Sequence, residues 1–121
     1  AQVSETHSLE KACLVTTQVD SFDHRTAADA YRQFEAAAAI TRTWGDGYGY
    51  MLVATGRADV MVDPLMNLWD AAAIAPVIEE AGGIFCDWQG EQTVEHGEGL
   101  ATNPGLLEQV LSITRQFPAP C

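Results

Sequence analysis

Basic residues are scarce in this chain. Six Lys and Arg stand against 17 Asp and Glu in 121 residues, a formal net charge of -11. Nucleic-acid binding needs clustered cations to displace counterions from phosphates, so that function class is set aside, and docking on an anionic membrane surface goes with it. Cysteine is scarce too. Cys13, Cys86 and Cys121 are too few and too scattered for a disulfide scaffold, and without a CxxC pair they do not suggest structural zinc. Reduced thiols and a cytoplasmic location are expected. No apolar run reaches the roughly 18 residues that span a bilayer. The opening AQVSETHSLEK is polar and has no h-region, so a signal peptide is not expected. It begins with Ala, which leaves open either removal of Met or a longer parent chain. The glycine fingerprint GxGxxG, the Gly-Lys-Ser/Thr of a Walker loop and the GxSxG elbow are all absent.

What is present fits one globular domain over residues 1–121, with 47% hydrophobic and 19% charged residues. Short apolar, β-branched runs predict strands at Ala12–Thr16, Val60–Val62 and Ile84–Asp87, with shorter candidates at Thr41–Trp44 and Leu100–Ala101. Helical spacing predicts helices at Ala28–Ala39, Ala71–Ala81 and Leu106–Thr114, and a buried helix from Tyr50 ending near Gly56. Asn103 and Pro104 read as N-cap and first residue of the last helix. Strands alternating with helices predict a layered α/β sandwich, in which ligands sit where strand ends meet helix N-termini.

Two segments at such junctions carry chemistry. In DPLMNLWD, Asp63 ends a strand and Asp70 opens a helix. Asp70 reads either as an N-cap or as a carboxylate ligand to a hard cation such as Mg²⁺, and one carboxylate cannot hold that ion by itself. Asp63 taken alone reads as a turn carboxylate. RTWGDGYGY places Asp46 among Gly45, Gly47 and Gly49, where backbone can approach a ligand or pack tightly. His7, His24 and His96 lie in polar segments and read as solvated surface residues. Cys13 and Cys86 read as inert core residues, and Cys121 as an exposed thiol.

At Trp69–Gly83, WDAAAIAPVIEEAGG resembles the C-terminal signature of the inositol monophosphatase superfamily, Mg²⁺-dependent phosphatases of small sugar phosphates. WGDGYGYMLVATGRADVMVDPLMNLWD resembles the bacterial histidinol-phosphate phosphatase branch, and VSETHSLEKACLVTT resembles the strand that enters the C-terminal half of these enzymes. The resemblance implies a metal-ligating role for Asp70 and a contact from Asp63 to the non-phosphate part of the substrate. It implies that Asp46 and Gly47 line the substrate side, with Arg42 at the basic position before that loop. Gly47 stands where the histidinol branch has Cys, a small departure.

The large departure is that Asp-Pro-x-Asp-Gly-Thr and its upstream Gly-Glu-Glu are absent. In the family these supply most metal ligands and the threonine that helps activate water. The chain therefore resembles the C-terminal half of the sugar-phosphatase fold, contributes no complete catalytic set, and is expected to be inactive alone, with Mg²⁺ bound weakly or not at all. Its expected partners are a small phosphorylated substrate and a missing N-terminal half or a second subunit, with a homo-oligomer anticipated from an exposed apolar face. Two alternatives stand beside this reading. One is a stand-alone binding or oligomerisation module, and the other is a phosphatase completed by a second copy.

Overall fold

The computed structural model describes residues 2–17, 22, 27–43 and 48–118. Its elements are β1 (Cys13–Thr16), α1 (Ala28–Ala37), β2 (Ile40–Thr43), α2 (Tyr48–Ala54), β3 (Val60–Asp63), α3 (Leu68–Glu80), β4 (Ile84–Cys86), β5 (Gly99–Thr102) and α4 (Leu107–Thr114). The strands form a sheet in the order β2-β1-β3-β5-β4. β1 runs parallel to both β2 and β3, while β5 is antiparallel to β3 and β4.

Strand side chains alternate between faces, and here both faces are covered by helices. Val60, Val62, Leu14 and Leu100 join Ala30 and Phe34 of α1 and Val110, Leu111 and Ile113 of α4 in one core. Met61, Val15 and Ala101 point the other way, onto Tyr50, Val53 and Ala54 of α2 and Ala71, Ala75 and Ile78 of α3. This is the layered α/β architecture expected from the sequence. Burial on both faces explains why β3 reads as a continuous apolar run, with all four residues buried.

The boundaries differ where tertiary partners override local pattern. α1 stops at Ala37, short of the expected Ala39, because the Ala39 and Ile40 amides both donate to the Ala12 carbonyl and turn the chain into β2. β4 ends at Cys86, since the Asp87 side chain accepts the Gln89 and Glu91 amides and starts a turn. α4 starts at Leu107, so Asn103 is not its N-cap; the Asn103 Oδ1 instead accepts the Leu106 amide at 2.9 Å, in the turn before the helix. Gly56 ends α2 with φ of 76°, a conformation that any side chain would strain. α3 runs through Pro76, whose missing N–H deprives the carbonyl of Ala72, on the exposed side, of its helical donor.

The segment before β1 is stitched to distant parts of the chain. The Val3 amide donates to the Ala81 carbonyl, and the Ser4 hydroxyl to Asp59. Asn103 Nδ2 donates to the Ser4 and Thr6 carbonyls, and Gln109 Nε2 to that of His7. Among the described residues no helix is long and apolar enough to cross a membrane.

Candidate functional site

β1 and β3 lie side by side and parallel, so their carboxyl ends emerge together. Asp63 closes β3, and Pro64, with no amide hydrogen, cannot extend the ladder. Asp63 is 5% exposed. Its Oδ1 accepts the Thr17 amide at 3.1 Å, and its Oδ2 accepts the Thr17 hydroxyl at 3.2 Å and the Tyr50 hydroxyl at 2.7 Å. Burial pushes the Asp63 carboxyl above the usual carboxylate range, opposed by the hydrogen bonds from Tyr50 and Thr17. Burial, followed by the Asp63 charge and then that of Asp70, pushes the Tyr50 phenol far up, so it stays a donor.

The chain then opens outward. The Met66 amide donates to the Gly97 carbonyl at 2.8 Å, which anchors the turn between Asp63 and α3. Asn67 is the N-cap of α3, with Oδ1 accepting the Asp70 amide at 3.0 Å. This corrects the N-cap reading of Asp70. Asp70 lies in the first turn, and α3 begins three residues before the expected Ala71, because the Asn67 side-chain oxygen sits where the first free N–H groups converge. The Asp70 carboxylate is exposed beside the positive end of the helix dipole. In the same segment Leu65 is 49% exposed, Leu68 47% and Trp69 83%.

Arg42 stands apart, exposed on the edge strand β2, with its charge felt at the Cys13 thiol. Asp46 and Gly47 lie outside the described residues. The structure thus gathers Asp63, Tyr50 and Thr17 into one knot, with Asp70 at the mouth of α3.

Magnesium demands a near-octahedral oxygen shell. Asp70 can fill one corner of it. Among the described residues, the group of three or more metal-ligand side chains that lie together is Asp87, Glu91 and His96, and Asp70 is not in it. The described residues therefore do not by themselves fit a complete Mg²⁺ site at Asp70.

His96 is exposed, as expected of a surface residue, and it also has a partner. Its Nδ1 lies 2.6 Å from Asp87 Oδ2 and 3.9 Å from Glu91 Oε2. The bond to Asp87 holds the His96 pKa above its ordinary value, and although burial works the other way, that bond helps hold Asp87 below the usual range. The sequence offered no spacing that joined these residues. Tyr50 was missed as a partner of Asp63, yet it left a signal: a Tyr inside a buried helix needs somewhere to spend its hydroxyl.

The family model for the inositol monophosphatase family matches residues 1–118. The histidinol-phosphatase of Chlorobaculum parvum is 51% identical over 70 residues, which cover 58% of this chain and 27% of that protein. The histidinol-phosphatase of Streptomyces coelicolor is 30% identical over 114 residues, 94% of this chain and 43% of its own length. A solved inositol monophosphatase from Zymomonas mobilis superposes with a TM-score of 0.84 at 29% identity, covering 94% of this chain and 46% of that one. The chain spans less than half the length of these relatives. With the match running along nearly all of its residues and the fold agreeing, the chain belongs to the inositol monophosphatase family.

Proposed function

We propose that this chain is the C-terminal half of a Mg²⁺-dependent phosphate monoester hydrolase of the histidinol-phosphate or inositol monophosphate type. The observation that carries the reading is the exposed Asp70 carboxylate in the first turn of α3, in a segment where Leu65, Leu68 and Trp69 are exposed too. It offers a ligand that this half leaves incomplete, on a surface that another polypeptide would cover. In this reading Mg²⁺ supplies positive charge to the phosphate ester and its attacking water, and its remaining ligands come from an N-terminal half. Asp63 meets the non-phosphate part of the substrate, and Asp46, Gly47 and Arg42 keep the substrate-binding role that the family resemblance implies. The domain of residues 1–121 works in the cytoplasm and associates through the Trp69 surface, with the N-terminal half or with a second copy.

The chain alone binds Mg²⁺ weakly and turns over nothing. The test is hydrolysis of histidinol phosphate and inositol monophosphate with excess Mg²⁺, by the purified chain and by the chain mixed with the N-terminal half of a histidinol-phosphatase. Activity in the mixture that is lost in Asp70→Asn supports the reading. Turnover by the chain alone that disappears in Asp70→Asn would overturn the half-enzyme and point to a site completed by a second copy.

A further inference from the structure

Position 50 needs a large ring. The Tyr50 ring is 1% exposed and packs 6.0 Å from the Phe85 ring, within the cluster of Val53, Met61 and Ala71. Phenylalanine would fill that space equally well. A buried hydroxyl adds a desolvation cost unless it is partnered, so its presence calls for a partner. The partner is Asp63, 2.7 Å away. The Met66 sulfur, at 3.4 Å, lies against the same oxygen, but the phenol has one proton and the carboxylate is the stronger acceptor.

Asp63 itself is a buried carboxylate that no cation pairs among the described residues. A carboxylate has about four acceptor positions. The Thr17 amide, the Thr17 hydroxyl and the Tyr50 hydroxyl occupy three, and none of these donors belongs to a long, mobile side chain. These donors hold the carboxylate in a fixed orientation at the carboxyl ends of two parallel strands.

We propose that Tyr50 is a positioning residue for Asp63: with Thr17 it holds the carboxylate in one orientation toward a hydroxyl or ammonium group of a ligand. This rests on the substrate-side reading of Asp63. A bidentate guanidinium would need both oxygens, and Oδ2 already accepts two hydroxyls.

The experiment is Tyr50→Phe in the 121-residue chain, read by ¹³C NMR titration of the Asp63 carboxyl, with circular dichroism to confirm the fold. Ring packing survives in this variant, so a role in packing alone leaves the titration where it was. The expected result is an upward move of the Asp63 midpoint, because the phenol hydrogen bond favours the charged form. Thr17→Val is the second variant, and it moves the midpoint the same way. An unmoved midpoint in both overturns the proposal. In the enzyme completed by an N-terminal half, Tyr50→Phe and Asp63→Asn each raise KM about tenfold with kcat little changed. A raised KM in Asp63→Asn with an unaltered KM in Tyr50→Phe overturns the positioning role. An unaltered KM in Asp63→Asn, with the titration shift intact, sinks the substrate-side reading instead.

Discussion

The eight residues DPLMNLWD begin closed and end open. At Asp63 the carboxylate is buried and receives three hydrogen bonds from its own chain. Seven positions later Asp70 stands exposed beside a Trp that is 83% exposed, and the helix start is capped by Asn67 instead. Two acidic residues that look alike in the sequence thus do different work. The first is satisfied within this fold, so its loss is felt in stability. The second gives this fold little, so its loss is felt where something else meets it.

The largest expected effect lies on the closed side. Tyr50→Ala empties a buried aromatic site and costs about 3–5 kcal/mol, measured by urea unfolding. A smaller loss would mean that the knot is looser than its geometry. Asp63→Ala strips the acceptor from the Thr17 amide and from two hydroxyls, and costs about 1–3 kcal/mol in the same assay. If Asp63→Ala proves as stable as the parent, the contrast between the two carboxylates collapses.

Acid titration sharpens the comparison by sign. The Asp63 pKa is raised in the folded state, so protonation favours folding there. Its contribution is complete below the unfolded value of 3.8 and is lost as pH rises through the folded pKa. Asp87 is lowered and contributes the opposite way, with stability present above 3.8 and lost as pH falls through its folded pKa. Urea midpoints followed across the acid range should therefore show Asp63→Asn gaining on the parent as pH rises through that window. A difference that stays flat with pH would remove the burial argument.

At the open end the effects shrink. Asn67→Ala removes the cap and costs about 1 kcal/mol. Trp69→Ala changes the stability of the isolated chain by no more than about 0.5 kcal/mol, while weakening association with an N-terminal half or a second copy in analytical ultracentrifugation. A large stability loss in Trp69→Ala would show that the exposed surface already serves this fold.

The layers were legible because the sheet is covered on both sides. VMV in β3 and the small-residue stripe of α3 can only be buried between such layers, and the Trp-Asp and Gly-Gly landmarks fix their order. Asp63 and Asp70 were legible as residues at a strand end and a helix start, but their roles in the fold were not. Nothing in the string says that Asn67 out-competes Asp70 for the cap, or that Tyr50 reaches across from α2. The clasp of Asp87 and His96 was hidden for the same reason: it depends on a loop folding back, and spacing along the chain carries no trace of that. α1 shows the limit of helical pattern, since its alanines continue past the point where the Ala12 carbonyl ends it.

The stitching of the segment before β1 sets a timetable for folding. The bonds from Asn103 to Ser4 and Thr6 join residues 99 and 97 apart, and Gln109 reaches His7 across 102. Contacts so remote in sequence are slow to form, because the loop between them must close before any bond repays the entropy. During synthesis Ser4, Thr6 and His7 would thus wait for Asn103 and Gln109. Until Asn103 is made, Ser4 and Thr6 lack the side chain that fastens them, and Gln109 of α4 then adds its bond to His7.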